Sequence, residues 1–194
     1  MRSKAETPTL HLRFLLLVFT VSLTFVACSS EPESEKVAAP PKGGDPVAAF
    51  SGVDKADKAA SKWQDDAKLY AIASPAPQVD KAGRSPAWLY TYVSKSAGTV
   101  ASVTVAGGEA EIAPEQELPE DQVREISSNT LPPPSKLKDS NEAIEDAGKV
   151  RDVLAQKEDA QVTAGLDSFS SESPVWIFST TQGEERVEQK VPAN

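Results

Sequence analysis

An uncharged apolar run, Phe14 to Ala27 (FLLLVFTVSLTFVA), ends at Cys28, which is the only cysteine of the 194-residue chain. The thirteen residues before this run carry three basic side chains and one acid. A basic leader followed by a short apolar run is typical of an export signal, and fourteen residues fall short of the roughly 20 that a membrane span needs. We therefore expect residues 1–27 to be a signal peptide. The remaining chain must then fold without an internal disulfide bond.

Two kinds of processing compete at this site. Ordinary signal peptidase prefers small residues at positions −3 and −1 of the cut. A cut before Cys28 places Ala27 at −1, which fits, but the bulky Phe25 at −3, which does not. An uncleaved anchor and a purely structural cysteine remain as alternatives.

The run Phe25-Val26-Ala27-Cys28 resembles the lipobox of bacterial lipoproteins, with Phe25 where that family usually has leucine. The resemblance implies that Cys28 is acylated, that the chain is cut before it, and that several acyl chains hold the protein in a lipid bilayer. More than one acyl chain is what stable anchoring requires. Ser29, in place of an aspartate, implies the outer membrane if the host is Gram-negative. We expect an exported protein that is anchored to the cell envelope.

The composition after cleavage excludes several kinds of function. The leader carries a net charge of +2, so the charge of the chain changes from −9 to −11 when it is removed. Such an acidic body repels phosphate backbones, and we expect no nucleic acid partner. The sole histidine, His11, leaves with the leader, and Cys28 is consumed by lipid. Histidine- and cysteine-based nucleophilic sites, structural zinc and haem ligation are thereby excluded, and we expect no metal and no cofactor.

Residues 28–52 follow the anchor and are rich in proline, alanine, glycine, serine and charge, which predicts a flexible linker. Residues 53–113 form the first predicted α+β unit. Alanines and Trp63 recur at helical spacing from Asp54, and we interpret Trp63 as a core residue. Alternating patterns then predict strands, and these lie at Lys68–Ser74, around Trp88–Val93, at Val100–Ala106 and at Glu109–Ile112.

Residues 114–138 are rich in proline and are predicted to connect this unit to a second one, with a short ordered piece near Val123–Ile126. Residues 139–194 form the second α+β unit. Asp139-Ser140-Asn141-Glu142 has the pattern of a helix capping box. A helix is predicted with Ala143, Ile144 and Ala147 inward, and it is expected to resume after Gly148 with Val150, Val153 and Leu154. Strands are expected at Val162–Leu166, Val175–Thr180 and Arg186–Val191.

The two units match each other in sequence. Ser85-Pro86-Ala87-Trp88-Leu89-Tyr90 aligns with Ser173-Pro174-Val175-Trp176-Ile177-Phe178 at an offset of 88 residues. The same offset relates Asp54 to Glu142 and Ala59 to Ala147, on the two predicted helices. This predicts two α-β-β-β repeats, each with a helix packed on an antiparallel sheet. Coincidence in a chain with three tryptophans is the alternative.

The first unit, with Trp63, Val79-Asp80 and Ser85-x-x-Trp88-x-Tyr90, resembles exported bacterial domains of the PepSY-like and cystatin-like kind. The second unit shares the Pro174-Val175-Trp176 element, but its last strand lacks the Asp-Ala-x-Thr-Gly turn usual in PepSY units. The resemblance implies a helix packed across an antiparallel sheet. Its known members include protease propeptides and envelope proteins thought to inhibit or bind other proteins, and no catalytic residues carry over.

The expected function is a non-enzymatic binding or scaffolding role at the cell envelope, with an envelope protein as the partner. One alternative is a protease inhibitor acting through a loop such as Ala82 to Pro86. A more remote one is a hydrolase that uses serine or carboxylate side chains. The densest carboxylates are Asp65-Asp66, which are neighbours on one segment, and the acids between Glu115 and Asp121, which lie in the connector. Both groups are typical of a solvated surface. No residue is therefore predicted to be catalytic.

Overall fold

The computed structural model describes residues 44–76, 78–157, 160–169, 173–182 and 185–194. Within them, the strands are β1 (Lys68–Ala73), β2 (Ala87–Ser94), β3 (Thr99–Ala106), β4 (Glu109–Ile112), β5 (Gln116–Glu117), β6 (Val162–Asp167), β7 (Val175–Gln182) and β8 (Glu185–Pro192). The α-helices are α1 (Val53–Trp63), α2 (Glu120–Ser128), α3 (Ser140–Ala143) and α4 (Gly148–Gln156). Short 3-10 helices occupy Ala49–Gly52, Pro134–Lys136 and Ile144–Asp146. The predicted signal peptide, Cys28 and linker residues 28–43 lie outside the described residues.

The strands form one antiparallel sheet in the order β4-β3-β2-β1-β6-β7-β8, with β5 paired to β3 beside β4. The predicted α+β class is confirmed. The sheet is continuous because β1 pairs with β6, so the two predicted units share it. The order is symmetrical about this pair, since β2 and β3 follow β1 on one side and β7 and β8 follow β6 on the other. Ile72 of β1 lies opposite Leu166 of β6 in the central pair.

The main hydrophobic core lies on the face of the sheet that α1 and α4 cover. It combines residues of both predicted units, and Trp88, Tyr90, Trp176 and Phe178 are almost completely buried in it. The ring centroids of Trp88 and Trp176 are 6.1 Å apart in an edge-to-face arrangement, and Phe178 stacks on Trp176 at 5.9 Å. Each such aromatic pair contributes about 0.5–1.5 kcal/mol beyond the stabilisation that comes from burying its surface area. The two units are therefore parts of one folding body.

Both buried indoles are fixed by backbone carbonyls from the segment that precedes a helix. Trp88 Nε1 donates to the carbonyl of Val47 at 2.9 Å, and Trp176 Nε1 donates to that of Lys138 at 2.9 Å. A buried N–H group without an acceptor costs about 1–3 kcal/mol, so these bonds fix where the chain enters each helical segment. Val47 also forms a β-bridge with Ser85.

The ordered body begins earlier in the chain than predicted from the sequence. A flexible linker was predicted up to residue 52, yet residues 47–52 are held by the Val47 bridge and by the 3-10 helix Ala49–Gly52. The physical reason is the indole of Trp88, whose N–H group requires the carbonyl of Val47. Ala49 is fully buried, and its carbonyl accepts the hydroxyl of Tyr90 at 2.5 Å.

The proline-rich connector also contains regular structure. It forms β5 and the nine-residue helix α2, which is longer than the predicted ordered piece. Val123 of α2 packs against Val93 and Val100 on the sheet face opposite the main core. Leu131 then donates its backbone N–H to the carbonyl of Leu69 at 2.9 Å. The connector thus covers the second face of the first three strands.

The capping box predicted at Asp139 is confirmed. The Asp139 side chain accepts a hydrogen bond at the start of α3, and the Glu142 side chain accepts one from the Asp139 N–H at 3.2 Å. Asp139 Oδ1 also accepts the backbone N–H of Phe50 at 3.0 Å, and Ser140 Oγ accepts that of Ala49 at 3.0 Å. Asp139 and Ser140 thereby join α3 to the 3-10 helix Ala49–Gly52.

We predict that the Trp88→Phe and Trp176→Phe variants lower the midpoint of one shared unfolding transition. Each change removes an indole N–H, leaves a carbonyl unpaired at a cost of about 1–3 kcal/mol, and adds the cost of lost volume. The measurement is urea denaturation of residues 29–194, followed by far-ultraviolet circular dichroism. Two separate transitions, each shifted by only one of the variants, would contradict a shared core.

We predict that Asp139→Ala lowers the free energy of unfolding by about 1–2 kcal/mol, because a helix cap is lost and the N–H of Phe50 loses its acceptor. Asp139→Asn keeps an acceptor oxygen and is the matched control, with a smaller loss. The same denaturation measurement compares the two. An equal loss in both variants would show that the acceptor geometry is not what stabilises this junction.

We predict a specific pH dependence for the same carboxyl. Burial raises the pKa of Asp139 above its ordinary 3.8 and outweighs the hydrogen bonds from Phe50 and Ser140, which lower it. The folded state therefore binds the proton more tightly than the unfolded state. The resulting stabilisation is complete below pH 3.8 and is lost as the pH rises through the raised pKa. The free energy of unfolding of the wild type, minus that of Asp139→Asn, is expected to fall across this window; a pH-independent difference would argue against it.

Candidate functional site

An open groove between α1 and β4 is the candidate site with the most distinctive chemistry. Its volume is about 600 Å³. Its rim is formed by lysines and its floor by apolar side chains, and the residues that line it are Lys55, Lys58, Lys62, Ala59, Trp63, Ala110 and Ile112. We call it the lysine groove. It lies at the edge of the sheet that β4 forms.

The three lysines lie on one side of α1 because their spacing of three and four residues is one helical turn each. The helix packs on the sheet through Val53, Ala56 and Ala60, which are buried. These small side chains let α1 lie close to β3 and β4. All three lysines are exposed. The helix therefore presents a row of positive charges along the groove.

The floor of the groove is made by β4 and by the end of α1. Ala110 and Ile112 alternate along β4 on the groove side, and 38% of Ile112 is exposed. Trp63 is only partly buried, and its Nε1 donates to Glu115 Oε2 at 2.6 Å. The interpretation of Trp63 as a core residue holds only in part, because its ring packs against the core while also lining the groove.

The charges around the groove are unevenly distributed. Glu109 and Glu111 alternate with the groove-lining residues of β4, so they lie on the opposite side of the strand. Glu115, at the end with Trp63, also accepts a hydrogen bond from the Thr99 hydroxyl at 3.4 Å. Lys55 Nζ donates to the carbonyl of Gly108 at 2.6 Å and braces the turn before β4. A groove with this lining accommodates a ligand that has both carboxylates and apolar groups.

A second cavity, of about 610 Å³, lies beside β6, β7 and β8. Hydroxyl side chains line much of it, together with Lys157 and Arg186. The guanidinium of Arg186 already binds Ser179 Oγ at 3.0 Å and Glu188 at 3.1 Å. Its charge is therefore partly neutralised, and the cavity lacks the apolar floor of the lysine groove.

The loop Ala82–Pro86, the candidate inhibitory loop, is held tightly on the body. Asp80 Oδ1 accepts the backbone N–H groups of Ala82 and Arg84, both at 2.9 Å. Gly83 has a φ of +70°, and an added Cβ would lie 2.3 Å from the carbonyl oxygen of Ser140. Arg84 is exposed, whereas Gly83 and Ser85 are buried. Arg84 is therefore the one exposed residue of this loop.

Asp66 and Glu115, two of the carboxylates considered for catalysis, have structural contacts, and so does Asp57 of α1. Asp66 accepts hydrogen bonds from the Ser94 hydroxyl at 2.6 Å and from the Ser96 N–H at 2.9 Å. These bonds lower the pKa of Asp66, with that of Ser94 the largest cause. Asp57 accepts the hydroxyl of Tyr92, whose pKa is raised by burial and then by this aspartate. Among the described residues, no group of three metal-ligating side chains is close enough to bind an ion.

No helix in the described part of the chain is long and apolar enough to cross a bilayer. Comparison with protein-family models, with curated proteins and with solved structures finds no match to this chain. The lipoprotein and PepSY-like resemblances therefore stay predictions from the residues. Cys28, the predicted lipid attachment site, lies outside the described residues.

The lysine groove could not be predicted from the sequence. Its signals were present as the one-turn spacing of Lys55, Lys58 and Lys62 and the alternation of Ala110 with Ile112. What the sequence does not give is the packing of α1 over β4, two elements about fifty residues apart. Trp63, the residue that joins the two patterns, was assigned to the core alone.

Proposed function

We propose that this protein is an exported, lipid-anchored protein with a non-enzymatic binding role at the bacterial cell envelope, and that the lysine groove is its contact surface. The partner in this proposal is another envelope protein. If the host is Gram-negative, the site of action is the outer membrane. The lysine groove is the observation that carries the binding role.

The anchor part of the proposal is supported by the sequence before residue 30. A basic leader, an apolar run of export-signal length and the lipobox-like Phe25-Val26-Ala27-Cys28 stand in the order that a lipoprotein requires. The partner of Cys28 is then the bilayer itself, through its acyl chains. The body is acidic overall, so the proposal makes the lipid, rather than the charge of the body, the source of membrane binding.

We further propose that the body arose by duplication of an α-β-β-β unit. Three correspondences support this. The strand order is symmetrical about β1 and β6. Trp88 lies opposite Val105, and Trp176 lies opposite Val191, in matching positions of the two outer hairpins. Each indole donates to a carbonyl just before a helical segment.

The binding role is supported by how the groove departs from the rest of the surface. The chain has a net charge of −9, yet three exposed lysines line one side of this groove. The apolar floor includes an exposed isoleucine and part of a tryptophan ring, and aromatic side chains are enriched at protein interfaces. Charge at the rim and apolar contact at the centre is the usual composition of a binding surface.

We predict that Cys28→Ser moves the protein from the membrane fraction to the soluble or secreted fraction. The change removes the acylated sulfur, so no acyl chain remains to hold the body at the bilayer. Fractionation followed by immunoblotting measures the distribution. Ser29→Thr, which leaves Cys28 in place, is the control. Continued membrane association of Cys28→Ser would overturn the anchor.

We predict that residues 29–194, immobilised on a resin, recover a specific protein from detergent-solubilised host envelopes. Recovery is expected to weaken as salt is raised, because part of the attraction is electrostatic. Quantitative mass spectrometry measures enrichment over a resin that carries an unrelated protein of similar acidity. A binding role would be abandoned if no protein exceeds that background, or if a broad substrate screen shows turnover by the purified protein.

A further inference from the structure

The lysine groove borders a strand edge that is open in the described part of the chain. β4 ends the sheet on this side, and all four of its residues are exposed. Such an edge presents backbone N–H and C=O groups that an additional strand can pair with. The groove therefore combines a row of cations, an apolar floor and a strand edge in one place.

We propose that the lysine groove binds an acidic segment of another protein as an extended strand added beside β4. Alternate side chains of that segment carry carboxylates toward Lys55, Lys58 and Lys62, and at least one apolar side chain rests on Ile112 and Trp63. The proposal rests on the binding role proposed above and defines the chemistry of the partner.

The spacing of the charges fits an extended segment. Lys55 and Lys62 are seven residues apart on α1, which is about 10.5 Å along the helix axis. Side chains on one side of a strand repeat about every 6.7 Å, so two or three alternate carboxylates span about 7–13 Å. The flexible lysine side chains take up the remaining difference. A helical acidic segment has no backbone groups free to pair with β4, whereas a strand does.

The acids near the groove determine which positions of the bound segment can carry a carboxylate. Glu109 and Glu111 lie on the other side of β4, so they do not directly face the carboxylates of the added segment. Glu115 lies at the Trp63 end, where the indole N–H and the Thr99 hydroxyl hold it. An acidic segment is therefore expected to meet the lysines along α1 and to place an apolar residue, rather than a carboxylate, next to Trp63.

The chain contains one competitor for the same surface. Glu31, Glu33 and Glu35 alternate with other residues in the sequence, outside the described residues. Such a run has the spacing that the groove selects. Whether the occupant is a partner or this run is decided by the experiment.

The test uses the full chain, purified in mild detergent, and a synthetic eight-residue peptide in which three of four alternate positions are glutamate, the fourth is leucine and the positions between are threonine. Binding is measured by fluorescence anisotropy of the labelled peptide. We expect Lys58→Gln with Lys62→Gln to weaken the affinity about tenfold or more, or about 1.4 kcal/mol. Lys55 is left unchanged because it braces the turn before β4. Lys81→Gln, an exposed lysine away from the groove, is the matched control and is expected to leave the affinity unchanged.

Two further peptides separate strand addition from charge attraction. A peptide of the same composition, with its glutamates consecutive, is expected to bind about tenfold more weakly. Versions of the alternating peptide with N-methyl groups on the odd or on the even residues remove the N–H groups of one edge at a time. One of them is expected to lose binding and the other to keep it, because β4 pairs with one edge of the added strand. Equal binding of both N-methylated versions, or of the consecutive peptide, would overturn the strand assignment.

The outcomes also distinguish this inference from the binding role itself. If envelope partners are recovered equally by the wild type and by the Lys58→Gln, Lys62→Gln variant, the binding role stands and the groove assignment fails. If Glu31→Gln with Glu33→Gln and Glu35→Gln strengthens peptide binding about tenfold, the groove belongs to the chain's own acidic run and the partner assignment is overturned. Unchanged peptide affinity in that variant supports an external partner.

Discussion

The contact between Trp88 and Trp176 is the interaction on which the rest of the body depends. Each indole comes from a different predicted unit, and the two rings meet edge to face at 6.1 Å in the centre of the core. Each N–H group also needs an acceptor, and the acceptors are the carbonyls of Val47 and Lys138. The aromatic contact therefore fixes both the junction of the two units and the points where the chain enters each helical segment. Asp139 completes this junction by accepting the N–H of Phe50.

Much of the fold could be predicted from local pattern. The alternation around Trp88 and Trp176 indicates strands because every second residue faces the core, and the capping box at Asp139 has a fixed sequence form. The start of the body could not be predicted in this way. Residues 47–52 resemble a linker in composition, and what orders them is a tryptophan some forty residues later in the chain. The groove was missed for the same reason, since its helix and strand meet only through tertiary packing.

The internal match shows a related limit of sequence comparison. The offset of 88 residues fits β2 and β7, which contain the aligned tryptophans. It does not extend to the neighbouring strands, since Ile72 lies opposite Tyr90 and Ala164 lies opposite Phe178, an offset of 92. The carbonyls that accept the indole N–H groups, at Val47 and Lys138, are 91 residues apart. The connecting loops differ in length between the two halves, and each difference changes the offset between corresponding residues. A search at one constant offset therefore finds only the segment where the two halves match best.

The candidate site lies where the two halves differ. The core aromatics and the central strands have counterparts on both sides of the β1–β6 pair, and they serve to hold the sheet together. β4 extends the sheet beyond β3, whereas β8 ends it at the corresponding place on the other side. The lysine groove requires β4, because Ala110 and Ile112 form its floor. Residues that face the common core are constrained by packing, whereas β4 and the lysine-bearing side of α1 are exposed and are free to carry charge. The contact surface that we propose is therefore the groove, rather than the symmetrical centre.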